Sequence, residues 1–424
     1  MGEREKSFDD VCMCTDTCAL AGASAFFAGI KDAVIVVNGP LWCYFFAMRH
    51  IEHSQPTISH RMICTQLDND AIVFGAEAYL YEVLAPYVAQ PPALLAIVSS
   101  CAAGLIGDDV EAIARGAGII CPIVVLDSGG LVGSFADGWD KAAHTTLQAF
   151  PPTRQTPKAH AVNLIGMTSA YYNGENDVHE LVRLLEMAGY TVNAVLGCDM
   201  SAAELGDLAR AALNIVVHDE LGAESARLLE SICGMPYIAP LPPYGRTGTR
   251  RWLAEIGRAL PAPCRDAAEE EIERVTREDF LRINECKSLW GELRYDTAFI
   301  RAPRSVAWGL AQALRTEWAD VCHLAVAAEP EEVCEAAIAD EILGETDAVR
   351  MQQVLSAMEG GLLLGSSNES AHIDPKGAQY LAVSYPVQDA LHLTESPFMG
   401  LRGARYIEEQ LWNGNILRRK ISLL

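Results

Sequence analysis

The chain has 424 residues, which is too long for one ordinary domain and predicts two or three domains with separate cores. Half of the residues are hydrophobic and 21% are charged, as in soluble globular proteins, while a net charge of −24 argues against a nucleic-acid-binding protein. The charged N-terminus lacks the apolar core of a signal peptide, and no run of about 20 apolar residues is present. We therefore expect a cytoplasmic protein without a membrane span.

Short β-branched runs alternate with helical patterns along the chain, which predicts an α/β fold with mostly parallel sheets. The predicted strands are Ala33–Asn38, Leu94–Ser99, Ile123–Leu126, Val162–Ile165, Thr191–Val195, Asn214–Val217, Ser305–Trp308 and Gly361–Leu364. The predicted helices include Ala19–Gly29, Ala76–Val88, Asp108–Gly116 with Asp108 as its N-cap, Asp177–Gly189, Ala202–Ala212, Ala223–Cys233 and Thr247–Leu260.

Two polar stretches are candidate domain boundaries. The first is the proline-rich connector Pro151–Lys158, and the second is the charged stretch Asp266–Asp279, followed by a helix-like run. A terminal helix is expected from Leu401 onwards. We therefore expect three α/β units, at residues 1–155, 156–295 and 296–424.

Thirteen cysteines form an odd set in a chain for which we expect no export. Metal ligation or buried apolar thiols are therefore better interpretations than a disulfide framework. Five cysteines fall within the first 64 residues, which makes this region the first candidate for a functional site. These five are Cys12, Cys14, Cys18, Cys43 and Cys64.

Three cysteines occupy helix starts or follow strand ends. Cys18 precedes the first predicted helix, while Cys43 and Cys101 each follow a predicted strand. Such positions meet at one edge of a parallel sheet, where a helix N-terminus is expected to lower the pKa of a thiol. Three soft ligands from separate loops suit an iron–sulfur cluster better than zinc, which usually shows paired C-x-x-C arms. Ordinary buried cysteines are the alternative that position alone leaves open.

The residues around these cysteines form an ordered series of short motifs. In chain order they are Cys18–Ala23, Gly29–Ala33, Asn38–Cys43, Asp70–Gly75, Ser99–Cys101, Gly104–Asp109, Gly133–Ser134 and Gly138–Asp140. The series resembles the nitrogenase component 1 superfamily, which includes nitrogenase α and β subunits, their cofactor-assembly homologues and the dark-operative protochlorophyllide and chlorophyllide reductases. The cysteine separations of 25 and 58 residues are similar to those of that family's three cluster ligands.

The resemblance implies three Rossmann-like units and an iron–sulfur cluster, [4Fe–4S] or P-cluster-like, at a subunit interface. Cys18, Cys43 and Cys101 would be its ligands, while Gly39 and Gly104 would allow close backbone approach and donate N–H groups to sulfide. A four-iron cluster needs a fourth ligand. The candidates are Cys14, Cys12, Cys64, Asp16 and a residue of a partner chain.

A second cofactor site is also implied by the resemblance. Catalytic nitrogenase subunits use a cysteine at the end of a strand similar to Leu213–Val217, where this chain has His218. His218 is thus a candidate ligand of a second metallocofactor, although a satisfied structural histidine is the alternative. We expect a substrate pocket between the three units. Its candidate lining residues are His218, Tyr171, Tyr172, Asn173, Arg246–Arg250, Ser366–Glu369 and His372.

The implied function is an electron relay. In the family, an ATP-hydrolysing iron–sulfur reductase passes electrons to the interface cluster. This chain has no G-x-x-x-x-G-K-[ST] motif, so ATP chemistry would belong to that reductase. The second expected partner is a homologous component 1 subunit, identical or different, in a dimer or tetramer. An assembly scaffold that holds a metallocluster without turnover is the alternative function.

Overall fold

The computed structural model describes residues 18–129, 131, 133–330, 332–344, 347–374 and 377–422. These residues divide into two compact units. The first, called the cysteine unit, covers residues 18–170 and 191–239 of the described part. The second unit covers residues 171–190 and 240–422 of the described part.

Four parallel strands form the first sheet of the cysteine unit, in the order β2-β1-β3-β4. They are β1 (Ala33–Asn38), β2 (Met62–Cys64), β3 (Leu94–Ser99) and β4 (Ile123–Asp127). Every residue of β3 is buried, as expected for a central strand of a parallel α/β sheet. The predicted strands at β1, β3 and β4 are confirmed, whereas β2 is too short for its pattern to be recognised.

A second parallel sheet in the same unit has the order β6-β5-β7-β8. Its strands are β5 (Ala161–Ile165), β6 (Thr191–Leu196), β7 (Leu213–Val216) and β8 (Tyr237–Ile238). The buried side chain of Asn163 in β5 donates to Asn214 Oδ1 in β7 and to Leu208 O, each at 2.9 Å. These bonds satisfy an amide that would otherwise be costly to bury.

Helices precede and follow the strands of both sheets. In the cysteine unit they are α1 (Ala19–Ala28), α2 (Leu41–Glu52), α3 (Asn69–Phe74), α4 (Glu77–Leu84), α5 (Pro86–Ala89), α6 (Cys101–Ile106), α7 (Val110–Gly116), α8 (Phe135–Ala149), α10 (Ala202–Asp207) and α11 (Asp219–Cys233). All ten residues of α1 are buried. A helix apolar on every face belongs in the core, and α1 therefore anchors the residue that precedes it, Cys18.

Two glycines let α1 and α8 pack almost backbone to backbone. A Cβ on Gly22 would lie 1.8 Å from the carbonyl oxygen of Phe135, and a Cβ on Gly138 would lie 1.9 Å from that of Ala19. No side chain fits at either position without moving a helix. The Gly138–Asp140 motif seen in the sequence thus includes a packing requirement.

A third parallel sheet lies in the second unit, in the order β11-β10-β9-β12-β13. Its strands are β9 (Arg294–Ile300), β10 (Asp320–Val326), β11 (Glu341–Ile342), β12 (Leu362–Gly365) and β13 (Gln379–Ala382). Three sheets, all with parallel pairing, confirm the expected α/β class.

The second unit also contains the longest helices. Its helices are α9 (Gly174–Met187), α12 (Gly245–Ala259), α13 (Arg265–Trp290), α14 (Arg304–Ala313), α15 (Val333–Ala336), α16 (Ala348–Ser356), α17 (Ser367–Ser370) and α18 (Gly400–Ser422). Within the described part of the chain, none of the helices is both long enough and apolar enough to span a bilayer.

One local prediction in these segments is wrong. The strand expected at Ser305–Trp308 lies inside α14, and the strand of that region is β9. Nearly every residue of α14 is buried, so its apolar residues show no helical period that would separate it from a buried strand. The charged stretch Asp266–Asp279 forms part of α13, and the boundaries expected near residues 155 and 295 stay predictions.

The helix after the Gly104–Asp109 motif begins one residue later than expected. Asp109, not Asp108, is its N-cap and accepts a hydrogen bond from the Ala112 amide at 2.9 Å. Asp108 accepts from the Ala76 amide at the start of α4 instead. Two adjacent aspartates are equally good caps in sequence, and only the fold determines which helix each one serves.

Candidate metal centre

Cys43 and Cys101 lie at the carboxyl edge of the first sheet. Cys43 is in the first turn of α2, which follows β1 and a turn at Gly39. Cys101 is the first residue of α6, which follows β3 and is capped by the Ser100 hydroxyl. Because β1 and β3 are adjacent and parallel, their ends bring both cysteines to the same edge. The two loops are close, since a Cβ on Gly39 would lie 2.5 Å from Ser100 Oγ.

Cys18 is the N-cap residue of α1. It pairs with Ser134 in an isolated antiparallel bridge, and the next residue, Ala19, donates its N–H to Gly133 O at 3.0 Å. Ser134 is in turn fixed by a capping box with Asp137 at the start of α8. Cys18 is therefore held by backbone bonds to a second helix start, with its side chain exposed.

The charge of Cys43 responds to both other cysteines. Burial raises the pKa of Cys43, and negative charge on Cys18 and on Cys101 raises it further. Cys43 therefore lies within electrostatic range of both other predicted ligands. The expected lowering of the pKa by a helix N-terminus is wrong for Cys43, because burial and two like charges outweigh the helix field. A bound cation would reverse this balance by stabilising the thiolates.

Cys64, at the end of β2, is a fourth cysteine close to this edge. Burial raises its pKa, an N–H donated by Gln66 lowers it, and the charge of Cys43 raises it. Its sulfur donates to Gly39 O and accepts from the Gln66 amide, each at 3.3 Å. The remaining candidates within this chain for a fourth ligand lie outside the described residues: Cys12, Cys14 and Asp16.

The N–H groups of Gly39 and Gly104 donate hydrogen bonds to other atoms of the protein. Gly39 N donates to Thr65 Oγ1 at 2.9 Å, and Gly104 N donates to Ser100 O at 3.0 Å. Gly104 faces Asp127, whose carboxylate would lie 3.3 Å from a Cβ there. Both N–H groups therefore have partners within the protein, and the expected role of the two glycines in cofactor binding, including donation to sulfide, stays a prediction.

One N–H group does reach a candidate ligand, and sequence reasoning missed it. The Leu131 amide donates to Cys101 Sγ at 3.4 Å. Gly129 packs against the same residue, since a Cβ there would lie 2.7 Å from Cys101 Sγ. The signal was a pair of glycines shortly after β4, the strand beside β3. Glycine at that edge of a parallel sheet commonly marks close backbone approach.

These donors suit a cluster more than a single ion. Among the described residues, no three His, Cys, Asp or Glu side chains converge closely enough to hold one metal ion. In a four-iron cluster each thiolate binds a different iron, so the ligands surround a larger object. Three soft thiols from separate loops, of which Cys43 lies within electrostatic range of the other two, fit that group.

Exposed apolar side chains surround the cysteines. Trp42 and Phe46, on either side of Cys43 in α2, are 70% and 62% exposed, and Leu105, close to Cys101 in α6, is 80% exposed. A group of exposed apolar residues usually marks an interaction site. We call the full set the apolar surface: Leu41, Trp42, Phe45, Phe46, Val73, Phe74, Leu105 and Leu131.

The chain segment that carries much of this surface is acidic. Between residues 62 and 114 there are seven acidic residues and no Lys or Arg. Asp70 shares helix α3 with the exposed Phe74, and Asp109 follows α6 closely, so negative charge lies beside the apolar residues. A partner binding here would have to supply the positive charge.

His218 lies elsewhere in the cysteine unit, at the end of β7 and the start of α11. It is buried, and burial lowers its pKa to about 4, so the ring is neutral near pH 7. Neutral imidazole is the metal-binding form. Its carbonyl oxygen accepts hydrogen bonds from the Leu221 and Gly222 amides. Its expected part in binding a second cofactor stays a prediction.

The other predicted pocket residues lie in the second unit, where several have structural partners. Asn173 donates to Ser396 O at 2.9 Å, and Arg246 is buried among three carboxylates. Ser366 and Glu369 bond to each other as the capping box of α17. The predicted residues in this unit are Tyr171, Tyr172, Asn173, Arg246–Arg250, Ser366–Glu369 and His372.

The chain is similar to a known protein family. Residues 18–414 match the family model described as "Nitrogenase component 1 type Oxidoreductase". Similar proteins include the nitrogenase iron-molybdenum cofactor biosynthesis protein NifE of Nostoc sp., which is 27% identical over 60% of this chain and 54% of its own length. The nitrogenase molybdenum-iron protein alpha chain of Methanosarcina barkeri is 27% identical over 67% of this chain and 55% of its own. A light-independent protochlorophyllide reductase subunit of Methylocella silvestris is 27% identical over 60% and 52%.

These alignments span about half the length of the curated relatives. The structural similarity covers more of both chains than these sequence alignments do. A solved structure, "Nitrogenase Cp1 at pH 5", superposes with a TM-score of 0.76 over 95% of this chain and 89% of that one, at 20% identity. The family match covers nearly the whole chain and includes Cys18, Cys43 and Cys101. The chain therefore belongs to the nitrogenase component 1 type oxidoreductase family.

Proposed function

We propose that this chain is an electron-relaying subunit of a nitrogenase-like oxidoreductase, and that Cys18, Cys43 and Cys101 bind an iron–sulfur cluster. The observation that carries the proposal is the meeting of three thiols from separate loops, with the charge of Cys43 influenced by both others. Membership in a family of oxidoreductases supports the same chemistry. All eleven cysteines in the described part are free, which suits the reducing cytoplasm that we propose as its location.

When bound, the cluster would supply one-electron transfer chemistry. The chain's own part is to position three thiolates at fixed helix and strand ends. Backbone contacts with Gly133 and Ser134, just before α8, hold Cys18 and Ala19, and the ends of β1 and β3 position Cys43 and Cys101. Burial around Cys43 and the N–H of Leu131 at Cys101 would then influence the potential of the cluster.

A homologous component 1 subunit, either a second copy or a different chain, is the partner proposed for the apolar surface. Three cysteines leave a four-iron cluster one ligand short, and a chain covering the surface beside Cys43 and Cys101 could supply it. Covering Trp42, Phe46 and Leu105 would also remove exposed apolar area from water.

The second proposed partner is an ATP-dependent iron–sulfur reductase. The chain itself has no phosphate-binding G-x-x-x-x-G-K-[ST] motif, so the nucleotide chemistry would belong to the partner. The chain as a whole has 56 acidic and 32 basic residues, and this excess of negative charge would attract a reductase with a basic face. Such attraction should weaken as ionic strength rises.

Iron analysis tests the proposal most directly. After anaerobic purification of the full chain with its partner subunit, we expect bound iron and acid-labile sulfide and an electron paramagnetic resonance signal after reduction. The Cys43→Ala variant should lose most of its iron while retaining its circular dichroism spectrum. Cys121→Ala, in the same unit and not among the proposed ligands, is the matched control and should keep its iron. An iron-free wild-type protein, or full iron in Cys43→Ala, would refute the proposed cluster site.

An assembly scaffold is the second candidate function. It is favoured by the similarity to a cofactor biosynthesis protein and by His218, which takes the place of the cofactor-binding cysteine of catalytic subunits. His218 would then be a ligand of a transient second metallocofactor. Substrate reduction with a reductase partner, ATP and dithionite would favour the relay. Transfer of a cluster to an apo-enzyme without turnover would favour the scaffold.

A further inference from the structure

We infer that the backbone at Gly129 and Leu131 positions the Cys101 sulfur and tunes the potential of the cluster bound there. This inference rests on the proposed function, because it concerns a cluster held by Cys101. Neither residue belongs to the cysteine motifs, and both act through main-chain atoms. They are positioning residues for the electron relay.

The first observation is steric. A Cβ on Gly129 would lie 2.5 Å from the amide nitrogen of Cys101, 2.7 Å from its Cα and 2.7 Å from its sulfur. Side chains essentially never approach that closely, so any residue other than glycine would push Cys101 away. Gly129 therefore allows the loop after β4 to lie directly on the cysteine.

The second observation is a hydrogen bond to the sulfur itself. The Leu131 amide donates to Cys101 Sγ at 3.4 Å, within the range for a sulfur acceptor. The Leu131 side chain is 81% exposed, so the residue contributes its N–H here and little packing. Main-chain donation of this kind does not depend on which side chain is present.

The direction of the effect follows from charge. An N–H directed at a ligating sulfur stabilises negative charge, and the reduced cluster is the more negative state. The bond therefore favours reduction and raises the midpoint potential. Removing the N–H should make the cluster harder to reduce, without changing the number of ligands.

A pair of substitutions at one position separates the N–H from the side chain. Leu131→Pro removes the N–H, whereas Leu131→Ala removes most of the side chain and keeps the N–H. The quantity to measure is the difference in midpoint potential between the two variants, by anaerobic redox titration followed by electron paramagnetic resonance. We expect Leu131→Pro to titrate at a more negative potential than Leu131→Ala. Equal potentials in the two variants would overturn the inference.

The steric part has its own test, which also serves if Leu131→Pro does not fold. Gly129→Ala should alter the electron paramagnetic resonance signal or lower the iron content, because Cys101 must move. Gly206→Ala is the matched control, since a Cβ on Gly206 in α10 meets nothing within 4 Å. A signal and iron content in Gly129→Ala equal to those of Gly206→Ala would overturn the positioning role.

Failure of this inference differs from failure of the proposed function. If Cys101→Ala keeps its iron, the ligand assignment itself is wrong. If Cys101→Ala loses iron while Leu131→Pro and Leu131→Ala share one potential and Gly129→Ala matches its control, the cluster site stands and only the tuning role fails.

Discussion

Single residues at the first sheet's edge differ in what their sulfur atoms contact. Cys18, Cys43 and Cys101 each begin or nearly begin a helix, whereas Cys64 ends β2. The Cys64 sulfur has both a backbone acceptor and a backbone donor, so its hydrogen-bonding capacity is used within the protein. Proximity to Cys43 alone therefore does not make it a ligand.

We expect Cys64→Ser to keep the iron content of the wild type. A serine hydroxyl can replace the thiol in the bonds to Gly39 O and the Gln66 amide, and no ligand would be lost. The measurement is iron per chain after anaerobic purification, with Cys43→Ser as the comparison. A loss of iron in Cys64→Ser similar to that in Cys43→Ser would identify Cys64 as the fourth ligand.

Glu408 in α18 is a buried carboxylate of the second unit with an unusual proton affinity. Its oxygen accepts a hydrogen bond from the Arg246 guanidinium. Its pKa is raised to about 7: burial is the largest cause, Glu317 and Asp279 raise the pKa as well, and Arg246 and Lys287 lower it. Arg246 is shared among three carboxylates, of which Asp279 also pairs with Arg405, and burial of Glu408 outweighs its ion pair with Arg246.

This shift predicts a pH dependence of stability. Because the pKa is raised in the folded state, the folded chain binds more protons than the unfolded chain between about pH 4.5 and 7, and the free energy of unfolding falls as pH rises through that window. The contribution of Glu408 is on the order of 3 kcal/mol. Glu408→Gln should therefore show a smaller decrease in the free energy of unfolding between pH 5 and pH 8 than the wild type, as measured by urea unfolding.

The control for this prediction is the exposed neighbour Glu409. Glu409→Gln should keep the wild-type difference between the two pH values. If Glu408→Gln shows that same difference, the proton affinity assigned to Glu408 is wrong.

At the scale of elements, the packing of α1 on α8 connects sequence motifs to the position of Cys18. Gly22 and Gly138 allow the two helices to touch through their backbones. The same contact brings Cys18 beside Ser134 at the start of α8. Separation of the helices would therefore move a candidate ligand as well as open the core.

Gly138→Ala should destabilise the cysteine unit by about 2–3 kcal/mol, because its Cβ would overlap the carbonyl of Ala19. Iron content should fall with it, since Cys18 precedes Ala19. Thermal unfolding and iron analysis are the measurements. Gly257→Ala, where a Cβ in α12 meets nothing within 4 Å, should be neutral or stabilising by up to about 1 kcal/mol. Equal stability of the two variants would contradict the close packing.

At the scale of the whole molecule, the apolar surface beside Cys43 and Cys101 is the feature that predicts assembly. Trp42, Phe45 and Phe46 lie in one helix, α2, and their rings contact each other with centroids 6.1–6.4 Å apart. Exposed aromatic residues in such a group are typical anchors of protein–protein interfaces.

We expect Phe46→Asp to dissociate the complex with the component 1 partner, weakening association at least about tenfold, because a charge would be buried at the interface. Sedimentation velocity of the wild type and variant, each with its partner subunit, would measure this. Leu391→Asp, at an 81% exposed leucine of the second unit, is the control and should leave the assembly intact. Persistence of the complex in Phe46→Asp would argue against this surface as the interface.

Much of the fold follows from local pattern. Buried β-branched runs at β1 and β3 and the helices between them are recognisable because parallel strands are apolar throughout and short. The hydrophobic pattern does not predict β2, because this strand is too short. It also does not predict α14, because burial on every face removes the helical period. The common edge of Cys43 and Cys101 was predictable because adjacent parallel strands end at the same edge of a sheet.

The family, the parallel α/β class and the three candidate cysteines could be predicted from the sequence, because motif order, spacing and hydrophobic runs are properties of neighbouring residues. Only the folded structure shows that Asp109 caps α7, that burial raises the pKa of Cys43 and that Leu131 donates to Cys101. Each of these depends on how loops from different strands approach one another. Burial and close contact depend on several elements that are far apart in the chain, and a local sequence pattern therefore cannot predict them.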